Sequence, residues 1–267
     1  MFQRHSTTQV SRPATRILGV NFFSGSLGAA CDRAAEGGLL TAPSGPGLAG
    51  DLLSEPAYRR ALEASDIVLT DSAFMVMLWR VRTVSRLPRN SGLAFLRVWL
   101  NRAAQRQPGA VLWVMPSEKE RDLARSWLAA HGHRTEAADF YVAPIYSAGR
   151  IEDRELVALI LQRTPKAIYV GIGGGVQEPL GHYLQQTLPY RPAILCLGAA
   201  LAFLTGAQVK IAPWVDRVGL GWLWRIAYDP ERYFVRYARA ARLGWLVLRF
   251  GAEAPPLAVG ARTGRIA

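Results

Sequence analysis

"IYVGIGGGVQEPLG", from Ile168 to Gly181, carries an apolar, β-prone run into four closely spaced glycines and then into a helical pattern opened by a Gln-Glu pair. A strand, a bare turn and a helix in that order form one unit of a parallel α/β sheet. The glycines have two physical readings. They give a ligand access to backbone N–H groups at a helix N-terminus, a common way to hold phosphate, or they make a tight turn in which the helix dipole favours Glu178.

The same alternation extends along the chain. Strand candidates are "RILGV" at 16–20, "GLLT" at 38–41, "DIVLT" at 66–70, "AVLWVM" at 110–115, "AIYVG" at 167–171 and "AILCLG" at 193–198. Between them, "KERDLARSWLAAHG" and "EDRELVALILQRT" repeat apolar residues at helical spacing, the first closed by Gly132. "TAPSGPGLAG" reads as a loop from its Pro and Gly content. The expected fold is α/β: a Rossmann-like parallel sheet with helices on both faces, plus a C-terminal helical, arginine-rich appendage. The expected boundaries are a disordered segment at 1–15, the core at 16–213, the basic amphipathic appendage at 214–250 and a flexible tail at 251–267.

The chain of 267 residues carries a formal charge of +12, from 32 basic against 20 acidic residues, and only Lys119, Lys166 and Lys210 are lysines. Arginine's planar fork suits phosphates and phospholipid headgroups, so the balance points to polyanionic partners, unless it records codon bias alone. Cys31 and Cys196 stand apart in apolar surroundings, as expected of a reduced compartment without structural zinc. The N-terminal residues lack an apolar signal core, and "AILCLGAALAFLTGA" is too short to span a bilayer. The expected location is cytoplasmic.

From Arg217 to Phe250 there are seven arginines against two acids, interleaved with aromatic residues. If 232–249 is one helix, Arg232, Arg236, Arg239, Arg242 and Arg249 share one side, while Phe234, Tyr237, Trp245 and Leu248 cluster opposite; Leu243 and Phe250 fall on the basic side. Such a helix lies on a membrane surface or packs its aromatic face on the core. Nucleic-acid binding finds no recognised module and is not expected.

Ligands of open α/β sheets bind beyond the carboxyl ends of the strands. In "VLTDSAFMVMLW", Asp71 follows a strand and opens a helix, either as its cap or as a general base facing the crevice. In "RLPRNSG", Arg86 and Arg89 clamp a phosphate or decorate a loop. There is no GxxxxGK[ST], no HExxH and no DxD, and the glycine loop at 171–176 does not complete GxGxxG, since Val176 stands where the third glycine belongs and the loop lies late in the chain. P-loop nucleotide hydrolysis, dinucleotide chemistry, metal-assisted hydrolysis and DxD-type metal-dependent glycosyl transfer are therefore disfavoured. His131 and His133 read as solvated helix-end residues.

Taken in order, "YVGIGGGVQEPLG", "CLGAALAFLTG" and "KIAPWVDRVGLGWLWRIAYDPERYFVRY", preceded by "LTDSAFMVMLW" and "RLPRNSGLAFL", resemble the WecG/TagA/CpsF family of bacterial glycosyltransferases. Departures are Ser72 where the family commonly has Gly, Pro43 where it has Asn, Gly221 where it has Glu, and "VMPSEKE" in place of a glycine-rich turn. The resemblance implies an inverting, metal-independent enzyme with no cofactor. It would move an N-acetylmannosamine-like N-acetylhexosamine from a UDP-sugar to an undecaprenyl-diphosphate-linked sugar in cell-surface or exopolysaccharide synthesis. Asp71 would be the catalytic base. Thr41, Arg89, Gly173, Gly174, Gln177, Glu178, Arg225, Arg232 and Arg236 would bind substrate, Gln177 and Glu178 through uridine or sugar hydroxyls. The enzyme would sit peripherally on the inner face of the membrane, as a possible homo-oligomer. The departures also fit a weakened or inactive homologue serving as a membrane-associated scaffold in polysaccharide assembly.

Overall fold

The computed structural model describes residues 14–102, 107–146, 151–207 and 241–258. Its eight strands are β1 (Ala14–Ile17), β2 (Val20–Phe23), β3 (Gly38–Thr41), β4 (Ile67–Val68), β5 (Val111–Met115), β6 (Phe140–Val142), β7 (Ala167–Val170) and β8 (Ala193–Cys196). They form one sheet in the order β1-β2-β4-β3-β8-β7-β5-β6, parallel throughout except for the β1–β2 pair.

That exception corrects the reading of 16–20 as a single strand. Leu18 and Gly19 have φ of 51° and 82°, and Ile17 pairs with Val20, so the run folds back as a two-residue hairpin. Gly19 supplies the left-handed backbone cheaply; Leu18 is held in it by burial and by donating its N–H to the Gly251 carbonyl at 2.8 Å. The three-residue edge strand β6 was not legible, being too short for a period. "TAPSGPGLAG" is only partly a loop, because Ser44 accepts from the Gly47 N–H and Pro46 preorganises the first turn of α2 (Gly45–Ala49).

Strand residues alternate between the two faces. Leu40, Trp113, Tyr169 and Leu195 join one core cluster, while Leu39, Leu112, Ile168 and Ile194 join the cluster on the opposite face. The first face is covered by α1 (Leu27–Ala35), α6 (Gly92–Leu100), α7 (Glu118–Ala130) and α10 (Ala200–Thr205); the second by α8 (Arg154–Arg163) and α9 (Gln177–Thr187). On α9, Gly181 has a packing role, since a Cβ there would lie 2.6 Å from the Cys196 sulfur and 2.8 Å from Leu39.

A third cluster gathers β1 and β2 with α2, α3 (Asp51–Ser54), α4 (Pro56–Ala64), α5 (Ala73–Thr83) and the helical residues 241–250. Here the tail departs from its expected face. Leu243, Leu246 and Val247 are buried, and Trp245 and Leu248 are exposed on the side that carries Arg242 and Arg249. The apolar stripe at 243, 246, 247 and 250 outweighs the aromatic grouping, since aliphatic residues at three- and four-residue spacing face the core together. Nor do 251–258 form a loose tail: Ala252 accepts from the Gly19 N–H at 3.0 Å, Arg59 donates to the Pro255 carbonyl at 2.7 Å, and Ala258 donates to that of Leu53 at 2.9 Å. His133, expected in solvent, is also buried.

Candidate functional site

β4, β3, β8 and β7 are neighbours in the sheet, and all four end at the same edge. Their following loops, at 69–72, 42–44, 197–199 and 171–176, gather at that edge, where ligands of open α/β sheets bind. At about 4.8 Å per strand, the loops after β4 and β7 stand about 14 Å apart, which suits an elongated ligand.

At one end lies Asp71. It is not the cap of α5: Ser72 is, with its Oγ accepting from the Met75 N–H at 3.3 Å. The Asp71 carboxylate turns the other way and accepts from the Gly92 N–H at 2.9 Å, at the first residue of α6. A carboxylate at a helix N-terminus is favoured in its charged form. Arg89 lies against the same residue, with its Nε 3.5 Å from the Asp71 carbonyl. The structure thus brings Asp71 and Arg89 together, and the Ser72 departure has a structural use. Asn90 fixes the approach, donating its side-chain amide to the Gly25 carbonyl at 2.9 Å and its N–H to Thr70 at 2.8 Å. Nothing in the sequence around Asn90 pointed to this role.

At the other end is the glycine loop, whose members have distinct roles. Gly173 and Gly175 adopt φ of 105° and 89°, which L side chains rarely do. Gly174 has no such φ, and among the described residues nothing lies within 4 Å of where its Cβ would be. Among the described residues, neither packing nor backbone conformation requires glycine at 174.

Three residues expected to contact substrate are buried. Thr41 is fully buried, and because Ser65 donates to the Ala61 carbonyl at 2.7 Å, the Thr41 hydroxyl donates to Ser65 at 3.1 Å. Gln177 and Glu178 are each 1% exposed. Gln177 accepts from the Gly198 N–H at 2.7 Å and donates to Glu178 at 3.1 Å; Glu178 accepts from the Gly175 N–H at 2.8 Å. The pair therefore ties the loop after β7 to the loop after β8, and Tyr169 adds a second tie by donating to the Gly198 carbonyl at 3.1 Å. Their placement in the first turn was legible; their burial follows from the seating of α9 against β3 and β8, a tertiary contact. Arg225, Arg232 and Arg236 lie outside the described residues.

Burial pushes the Glu178 carboxyl up to about 7; hydrogen bonds from Gln177 and Gly175 oppose the shift and nearby Asp51 adds to it. Tyr58, also buried, has its hydroxyl pushed well above the ordinary range by burial and then by the Glu178, Asp51 and Asp71 carboxylates. The folded protein holds the Glu178 proton to higher pH than an unfolded chain, where glutamate titrates near 4.3. Its contribution to stability is full below that value and declines as pH rises toward about 7. The unfolding free energy of the Glu178→Gln protein, from urea melts, should therefore fall less over that window than the wild type's, by an amount approaching about 3 kcal/mol. Parallel profiles would mean that the carboxyl titrates alike in both states.

Residues 15–254 match the model of the glycosyl transferase WecG/TagA/CpsF family. The chain belongs to that family. This WecG/TagA/CpsF member is 25% identical, over 198 residues, to the N-acetylglucosaminyldiphosphoundecaprenol N-acetyl-beta-D-mannosaminyltransferase of Bacillus subtilis (strain 168). The match covers 73% of this chain and 74% of that protein. The family match includes 241–254, the stretch found packed into the third core cluster. The protein is accordingly a glycosyltransferase.

Proposed function

We propose that this glycosyltransferase moves an N-acetylmannosamine-like N-acetylhexosamine from a UDP-sugar to a sugar linked to undecaprenyl diphosphate, with inversion and without a metal. The observation that carries the reading is the Asp71 carboxylate, which leaves the capping of α5 to Ser72 and lies beyond a strand's carboxyl end at the start of α6, while Arg89 reaches the Asp71 backbone carbonyl. The acceptor and the sugar come from the name of the Bacillus relative.

In the proposed reaction the acceptor hydroxyl oxygen attacks the anomeric carbon and its proton passes to Asp71. The bond from that carbon to the diphosphate oxygen breaks, and its electron pair leaves with UDP. Attack from the face opposite the leaving group inverts the centre. The UDP charge is met by Arg89, by the open backbone at Gly173 and Gly174, and by Arg225, Arg232 and Arg236 of the tail. Thr41, Gln177 and Glu178 hold the loops rather than the sugar. The enzyme works on the inner face of the membrane, where a lipid-linked acceptor is found.

A thermal-shift screen of nucleotides and UDP-sugars tests the binding half of this reading. A ligand at 100 times its Kd stabilises by about 2.7 kcal/mol, and UDP and UDP-N-acetylhexosamines should do so where adenine nucleotides do not. Calorimetry should give the same UDP affinity with and without EDTA. A titration that vanishes on chelation would sink the metal-free mechanism, and one absent under both conditions would favour the scaffold.

A further inference from the structure

We infer that Gly92 is a positioning residue for the reaction: its missing side chain lets the first turn of α6 come close enough to hold the Asp71 carboxylate by a backbone N–H. The inference rests on Asp71 acting as the base. Backbone conformation does not call for glycine at 92, since its φ lies outside the left-handed region, and alanine is the better helix former. Space does. A Cβ there would lie 3.1 Å from the Ala42 Cβ, 3.5 Å from the Leu197 carbonyl oxygen and 3.7 Å from a Leu197 methyl. The loops after β3 and β8 therefore meet the same residue of α6 whose N–H reaches Asp71 Oδ1 at 2.9 Å.

Both loops are tied down. Ala42 donates its N–H to the Cys196 carbonyl at 3.1 Å. Gly198, next to Leu197, is held on both sides: Gln177 accepts from its N–H at 2.7 Å, and the Tyr169 hydroxyl donates to its carbonyl at 3.1 Å while accepting from the Leu201 N–H at 3.0 Å. On the other side, fully buried Thr70 donates to the Pro88 carbonyl at 2.7 Å and accepts from the Asn90 N–H at 2.8 Å, so the segment entering α6 is seated on the residue before Asp71. A methyl at 92 is tighter than an ordinary contact and needs a shift of a few tenths of an ångström. With the walls fixed, that shift falls on the first turn of α6 and distorts its bond to Asp71.

The bond has two uses for a base. A proton acceptor works only at hydrogen-bond distance and in the right direction, and holding Oδ1 fixes the rotation of the carboxylate and with it the direction of Oδ2. An N–H at a helix start also favours the charged form, the one able to take a proton. Ser91 leaves this N–H to Asp71, since its own side chain accepts from the Ala94 N–H at 3.2 Å.

The test is turnover of the full-length protein, measured as UDP released from UDP-N-acetylmannosamine with undecaprenyl-diphosphate-linked N-acetylglucosamine, beside UDP affinity by calorimetry. Gly92→Ala should lower kcat about tenfold, given that a misplacement of about 1 Å costs about a hundredfold, and leave UDP affinity unchanged. Gly92→Ala/Ala42→Gly should recover most of that loss, because the nearest described atom to the new methyl is then the Leu197 oxygen at 3.5 Å, an ordinary contact. In an Asp71→Asn background, Gly92→Ala should cost nothing further, as expected of two groups that act through one bond. Should Gly92→Ala fold poorly, Gly92→Pro in the Ala42→Gly background deletes the N–H instead. Proline is accepted at the first helical position, and Ser91, with φ of −76° and ψ of 150°, already has the backbone that precedes a proline. Its turnover should fall about tenfold or more, again at unchanged UDP affinity. Wild-type turnover of either Gly92 variant beside a crippled Asp71→Asn would overturn the inference and leave the proposed function standing. So would an equal loss from Gly92→Ala in both backgrounds, or a loss of turnover matched by a loss of UDP affinity. Near-normal turnover of Asp71→Asn would remove the base, and with it both the proposed function and the inference.

Discussion

Replacing Asp71 with Asn is expected to lower turnover by a factor of roughly 10² to 10⁴, the range over which a positioned general base contributes. The fold should survive. The substituted amide keeps an oxygen that accepts from the Gly92 N–H, and the cap of α5 belongs to Ser72, so stability should change by less than about 1 kcal/mol. Because the substitution removes basicity and keeps shape, UDP affinity should stay within a few-fold of wild type. Steady-state kinetics beside a urea melt would check both halves. Near-normal turnover would reduce Asp71 to a prop for the start of α6.

The second large effect concerns the tail. Leu243 is fully buried, in one cluster with Leu246 and Val247. Its truncation to Ala should cost about 2–5 kcal/mol, as buried leucines do when their surroundings relax only partly. Removing everything after Ala238 deletes all three residues and the carbonyls of Gly251 and Ala252 that accept from the Leu18 and Gly19 N–H groups. Against a total stability of about 5–15 kcal/mol, that loss should leave the truncated chain largely unfolded or aggregated. Denaturant melts followed by circular dichroism would decide this. A truncated protein with an unchanged midpoint would mean that 241–258 only rests on the core.

The central strands were legible because parallel strands buried on both faces appear as short apolar runs. Each of "GLLT", "AVLWVM", "AIYVG" and "AILCLG" contains the strand it was expected to hold. The β1–β2 hairpin was missed because "RILGV" continues in composition through its own turn. The site was legible in kind but not in direction. Asp71 could be placed at a strand end, but whether it or Ser72 caps α5 depends on side-chain orientation, which a sequence does not carry. Gln177 and Glu178 could be placed in a first helical turn, and there a polar pair facing solvent and one buried against two loops have the same spelling. The tail was read through its aromatic residues, and the structure sorted it by its leucines and Val247.

One measurement bears most directly on the whole account. The wild-type protein is incubated with UDP-N-acetylmannosamine and undecaprenyl-diphosphate-linked N-acetylglucosamine, in EDTA, and the lipid product is resolved by mass spectrometry and NMR. The product should carry one added N-acetylhexosamine with its anomeric configuration inverted relative to the donor, and UDP should be released only when the acceptor is present. A folded, UDP-binding protein that yields no such product from any UDP-N-acetylhexosamine, or that yields one with configuration retained, would contradict the proposed reaction.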